Sequence, residues 1–181
     1  MPKDKKELIT FLSVVLRNFV VVHIALNRFK KDPRLPKNVI FDTGSKKVEL
    51  PIKSLFTSTE TGEFISLKEV LGNCTKSQSR AILAETFELI KGYCETTDQL
   101  GVYKSWNAYN FSRLLRHMTS HGVGGRLNQW PPELKKKGIV KVSWRERIID
   151  ESMVGQRIGM TDPEIVALTK DQIDFVEKSL A

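Results

Sequence analysis

The sequence predicts a mainly α-helical protein, a helical bundle with a small β-hairpin excursion. Three observations lead there. Apolar residues recur every three or four positions over long stretches near the start, in the middle and at the end of the chain, the spacing of helices that bury one face. Clean alternation, the mark of a half-buried strand, is confined to short runs. The length, 181 residues, suits one domain with a proper core, and 1–181 is read as that single domain.

The first helix is expected from about Lys5 to Lys30. Leu8, Phe11, Leu12, Val15, Leu16, Phe19, Val22, His23, Leu26 and Phe29 mark its broad buried face. The β-branched run Val20-Val21-Val22 weakens helix propensity, but length and periodicity outweigh it. Asp32-Pro33 and Leu35-Pro36 stop it. Two apolar runs, 39–41 and 48–50, flank a polar stretch from Asp42 to Lys47 and read as a small hairpin. A short helix is expected from Ser66 to Gly72, with Ser66 as cap and Glu69 in the capping-box position.

Helical period returns from Ser77 to about Thr97, with Ile82, Leu83, Thr86, Phe87, Leu89, Ile90 and Tyr93 facing inward. Gly101 is read as the divide before a helix from Tyr103 to about Ser120, which Gly122, Gly124 and Gly125 end. On it Trp106, Tyr109, Asn110, Leu114 and His117 share one stripe. Residues 140–145 alternate and suggest a strand paired with residues near Ile148 to Val154. A short amphipathic helix from Thr169 or Lys170 to Leu180 closes the chain.

Lysine plus arginine outnumber aspartate plus glutamate by 29 to 21, a net charge of +8 and a pI near 9.5. This favours a polyanionic partner, and nucleic acid is the commonest. Cys74 and Cys94 lack any Cys-x-x-Cys spacing, which argues against a disulfide framework and for a reducing compartment. Arg17, Asn18 and His23 interrupt the apolar N-terminal run, and a charge at the bilayer centre costs at least about 2.5 kcal/mol. No small-residue cleavage site follows. Neither a membrane helix nor a signal peptide is expected, and the protein is expected to be cytoplasmic.

The chemistry concentrates between Tyr109 and Gly125. Two of the chain's three histidines, His117 and His121, lie there beside Arg113 and Arg116. Histidine exchanges protons near neutrality, and the planar fork of arginine suits a phosphate. At about 100° per residue, Arg113, His117 and His121 fall within roughly 80°, whereas Arg116 points about 140° from His121. One regular helix therefore does not aim Arg116 and His121 at the same phosphate. Either the glycine-terminated last turn unwinds, or the same helix of a second subunit brings its residues across a two-fold axis.

Arg116 and His121 are separated by four residues, with polar His117 directly after the arginine and a glycine after the last histidine. This pattern resembles the signature of the HEPN superfamily (higher eukaryote and prokaryote nucleotide-binding), an arginine and histidine four to six residues apart in an all-helical bundle. The resemblance implies a single HEPN-like domain, a homodimer and metal-independent endoribonuclease action at a cleft composed from both copies of the motif. It makes Arg116 and His121 the catalytic pair and His117 the polar companion. It also points to a defence or toxin–antitoxin role, with an antitoxin or other protein partner. Arg17-Asn18 followed by His23 fits the same spacing, but His23 falls on a buried helical face and reads as a structural histidine.

The residues support RNA as substrate in their own right. The 2′-hydroxyl of RNA attacks its adjacent phosphate once one proton is removed, another donated and the anionic transition state stabilised. His121 serves as acid or base, Arg116 as clamp and His117 in the complementary proton role. Asn110, Arg113 and Arg126 are candidate substrate-binding residues; Arg126 follows the glycines beside His121. Lys135, Lys136, Lys137, Arg145 and Arg147 could also track phosphates, and Trp106, Tyr109, Trp130 and Trp144 could stack on bases, but packing is the favoured reading for Trp106 and Tyr109 and a solvated loop for the lysine run. Met118 stands where a zinc-protease helix needs glutamate between its histidines, so no metal and no cofactor are expected. The alternatives are a non-catalytic helical module that binds RNA, nucleotide or protein, and an interaction subunit whose histidines only hydrogen-bond in an interface.

Overall fold

The computed structural model describes residues 1–31, 38–42, 44, 47–51, 66–120 and 125–181. The protein is mainly helical with a small antiparallel β component. In order run α1 (Lys5–Lys31), β1 (Asn38–Asp42), β2 (Lys47–Pro51), α2 (Leu67–Thr96), α3 (Leu100–Ser105), α4 (Tyr109–Ser120), α5 (Pro132–Lys136), β3 (Lys141–Trp144), β4 (Arg147–Asp150) and α6 (Asp162–Ser179). The chain forms two compact units, Met1–Phe19 with Gln78–Ala181, and Val20–Ser77.

In the smaller unit β1 and β2 pair antiparallel with Ile40 opposite Glu49, the hairpin expected from the two apolar runs. His23 is 8% exposed there, in keeping with a structural role. Ser66 caps α2 as expected, its hydroxyl accepting from the Glu69 amide at 3.2 Å.

That helix does not stop at Gly72. It runs unbroken to Thr96, so the two helices expected over 66–72 and 77–97 are one. The polar stretch between them looked like a break, yet Thr75 turns its hydroxyl back onto the Leu71 carbonyl at 2.9 Å and leaves the helical ladder intact.

The larger unit is a helical bundle with two apolar clusters. One joins Phe111, Leu114, Leu115 and Met118 of α4 to Val142, Trp144 and Ile149 of the β3–β4 hairpin and to Ile165 and Leu168 of α6. The other joins Leu8 and Leu12 of α1, Phe87, Ile90 and Tyr93 of α2, Tyr103 of α3 and Phe175 and Val176 of α6. In it Tyr103 meets Tyr109 edge to face at 4.9 Å between ring centroids, the arrangement aromatic quadrupoles favour. By length and composition α1 suffices to cross a bilayer, with mean hydropathy 2.0 over its most apolar stretch, of which 22% is buried; Leu8, Leu12 and Phe19 lie in the core of their unit.

Three boundaries differ from expectation. The divide before α3 is Asp98, at φ 56°, where the Gln99 amide donates back to the Cys94 carbonyl at 2.8 Å; Gly101 sits inside α3. The expected helix 103–120 is instead broken after Ser105, because Trp106 adopts extended backbone at ψ 129°. The last helix begins at Asp162, well before Thr169. Its start signal is Thr161-Asp-Pro-Glu164: the Thr161 amide and hydroxyl both donate to Glu164 Oε2, at 2.7 and 2.9 Å. The proline in the first turn favours the same start.

The Thr161 amide holds the Glu164 carboxyl below its usual range, helped by the Thr161 hydroxyl and Arg147 and opposed by partial burial. A depressed folded value means the stabilisation is complete above the unfolded pKa of about 4.3 and is lost as the pH falls through the folded value. Glu164→Ala should therefore lower unfolding free energy by about 1 kcal/mol at pH 7, and urea titrations of both proteins at successively lower pH should show that difference shrinking.

Candidate functional site

Helix α4 builds the site because its two sides face different environments. Phe111, Leu114, Leu115 and Met118 are buried in the core. Asn110, Arg113, Arg116 and His117 are half-buried and all line one cleft of about 610 Å³ within the larger unit. With Tyr109 and Lys137, six candidate residues named from sequence thus line one cleft. Glu88, Lys91 and Glu95 of α2, Lys104 of α3, and Gln129, Glu133, Lys137 and Ile139 from the segment around α5 contribute further walls.

The cleft is charged but nearly balanced. Lys91, Lys104, Arg113, Arg116 and Lys137 face Glu88, Glu95 and Glu133. Arg116 Nε lies 2.5 Å from Glu88 Oε1, tying α4 to α2. Arg113 pairs with Glu133, tying α4 to α5. Lys91 lies 3.4 Å from Glu95 one helical turn away. Both arginine side chains keep 35% to 40% of their surface exposed, so they remain in reach of a ligand. Burial pushes the Tyr109 phenol above its ordinary value, against the pull of Arg113, which leaves it a neutral hydroxyl on the cleft wall at neutral pH.

His121 lies outside the described residues, as do Gly122 and Gly124. Arg126 is exposed and does not line the cleft; it sits in an isolated antiparallel bridge opposite Arg157. Of the other basic candidates, Lys137 lines the cleft. Lys135 reaches Glu151 at 3.0 Å, Arg147 donates to the Gly159 carbonyl at 2.7 Å, and Arg145 grips Asp171 while stacking over Trp144.

The aromatic candidates pack rather than stack on a ligand. Tyr109, Trp130 and Trp144 are buried; Trp130 Nε1 donates to the Ile139 carbonyl and Trp144 Nε1 to Asp171, each at 2.8 Å. Trp106 stacks on Phe175 at 5.3 Å. Among the described residues no three His, Cys, Asp or Glu side chains gather as a metal-binding group.

Sequence reasoning missed Glu88, Lys91, Lys104 and Glu133. No local signal marked them, because they come from three other helices and only the fold brings them to α4. Helix α5 itself carried one readable sign, Trp130-Pro-Pro, with a proline inside its first turn. No family model, curated protein or solved structure matches the chain.

A part-exposed ion pair is worth at most about 1 kcal/mol, so Glu88→Gln and Glu133→Gln should shift urea unfolding by no more than that. Each substitution also removes a carboxylate that competes with solution anions for a guanidinium. Inorganic phosphate, titrated against the arginine Nε–H resonances, should bind either variant more tightly than the wild type.

Proposed function

We propose that this protein is a metal-independent, HEPN-like endoribonuclease that acts in the cytoplasm as a homodimer. The observation that carries the reading is the shared cleft: Asn110, Arg113, Arg116 and His117 line one cavity, so a phosphate held by the arginines lies beside an imidazole.

The reaction needs few groups. One histidine removes the proton of the 2′-hydroxyl, the oxygen attacks the adjacent phosphorus, and the bond to the 5′-oxygen breaks as a second proton reaches it. A 2′,3′-cyclic phosphate remains. His121 and His117 share the two proton transfers, Arg116 clamps the phosphate, and Asn110, Arg113 and Arg126 hold the strand. The angular separation of Arg116 and His121 on a regular helix supports a site shared across a two-fold axis. A role in defence or a toxin–antitoxin pair, with a protein partner that restrains the cleft, rests on the resemblance alone.

A second reading has its own observation. Both cleft arginines are engaged by carboxylates, Arg113 by Glu133 and Arg116 by Glu88, as suits a helical module that binds RNA, nucleotide or protein without cutting.

Labelled RNA incubated with purified protein in chelator should be cut to cyclic-phosphate ends, and His121→Ala should slow cutting by about 10² to 10⁴-fold. Binding without cutting would favour the second reading. Mixing inactive Arg116→Ala and His121→Ala chains should restore activity, since a mixed dimer keeps one intact composite site; no recovery, or full activity of a strict monomer, would overturn the shared site.

A further inference from the structure

Arg126 and Arg157 stand directly opposite each other in an isolated antiparallel bridge. The Leu127 amide donates to the Gln156 carbonyl and the Ile158 amide to the Gly125 carbonyl, each at 3.0 Å. These two bonds flank the arginine pair, which makes it the non-hydrogen-bonded kind, with Cα atoms about 4.5 Å apart and side chains at their closest. Leu127 is fully buried and Ile158 packs against the core. Backbone alternation therefore sends both arginines outward on the same face, and both are exposed.

The pairing is imposed by backbone that glycine permits. Gly125 has φ +64°, and a Cβ there would lie 3.2 Å from the Ile158 carbonyl oxygen. On the other side Gly155, at φ +87°, donates its amide to the Leu127 carbonyl at 2.7 Å. Like charges directly opposite in an antiparallel pair are destabilising. Arg113, Arg116, Arg145 and Arg147 each have a carboxylate, whereas no described carboxylate pairs with Arg126 or Arg157. Two arginines rooted side by side on the backbone can bring their guanidinium forks to the non-bridging oxygens of one phosphate, each oxygen accepting from a different arginine.

We infer that Arg126 and Arg157 form a phosphate clamp that takes a backbone phosphate of the RNA strand outside the Arg113–Arg116 cleft. The clamp rests on the ribonuclease reading for its ligand and on the bridge for its geometry. It makes Arg157 a binding residue, and one that separates an anchoring phosphate from the phosphate that reacts.

The test uses a 2′-O-methyl oligoribonucleotide, which has no free 2′-hydroxyl and so cannot be cut, with binding followed by fluorescence anisotropy across a salt series. Arg157→Gln and Arg126→Gln should each weaken binding about tenfold and reduce the salt dependence by about 0.7 in the log–log slope. The double variant should weaken it by less than the product of the singles, because both side chains hold one phosphate. Thermal stability should hold or rise in all three, since a repulsion is removed. Lys170→Gln, an exposed lysine on α6, controls for simple loss of charge.

Losses no larger than that of Lys170→Gln would overturn the clamp, as would strictly multiplicative losses. Intact binding in both clamp variants with binding abolished by Arg116→Gln would overturn the clamp and leave the ribonuclease reading standing. A wild-type protein that ignores the oligonucleotide but binds polyglutamate would overturn both and assign the pair to an acidic protein partner.

Discussion

The ion pairs that Arg113 and Arg116 make across the cleft are the constraint on which the candidate site depends. Helix α4 must bury Phe111, Leu114, Leu115 and Met118, and that burial pulls the guanidiniums on its other side partly out of water. A half-desolvated cation needs a partner. Glu88 on α2 and Glu133 on α5 provide one each, so the contacts that offset these charges also link α4 to α2 and α5 around the cavity. The apolar side of α4 and its charged side are one packing solution.

The second apolar cluster holds the floor of that arrangement. Phe87, Tyr103 and Tyr109 pack in tilted and edge-to-face pairs at 4.9 to 5.7 Å between centroids, and Phe87 and Tyr109 also line the cleft. Burial raises the phenol of Tyr103 well above its usual value, with Tyr109 adding to the effect. These rings are therefore neutral and packed at physiological pH. Their role is to fix α2, α3 and α4 against one another, which leaves recognition to the charged rim. The C-terminal end of α6 joins the same cluster through Phe175 and Val176, and Lys5 Nζ fastens it to the start of α1 through the Leu180 carbonyl at 2.7 Å.

Much of this was legible in the residues, and what was not has physical reasons. Leu8, Leu12, Phe19 and His23 of the face expected for α1, the existence of the hairpins and the inward side of α2 follow from periodicity, which burial enforces, whereas Phe11, read as buried on the same face, is exposed. Boundaries were less readable. Gly101 drew attention as a breaker, but Asp98 in the left-handed region ends α2, and glycine is tolerated inside α3. The start of α6 was written in Thr161 and Glu164 yet overlooked in favour of the later apolar residues. In the site, histidine and arginine on α4 were visible because they lie within one helix; their carboxylate partners, on α2 and α5, were not.

The distribution of charge sharpens the distinction between attracting a polyanion and acting on one. A net charge of +8 suggests a strongly positive cavity, but the cleft sets three carboxylates against five cations, and the carboxylates sit within a few ångströms of the groups they offset. At physiological salt, fields decay over about 8 Å, so the cleft itself contributes little to long-range attraction. Long-range attraction comes instead from cations without a nearby carboxylate, and Arg126 and Arg157, opposite each other in their bridge, are two such groups among the described residues. Under the proposed ribonuclease reading, a strand captured there would lose its counterions at the surface and meet the cleft as a tethered phosphate competing with Glu88 and Glu133 for the guanidiniums.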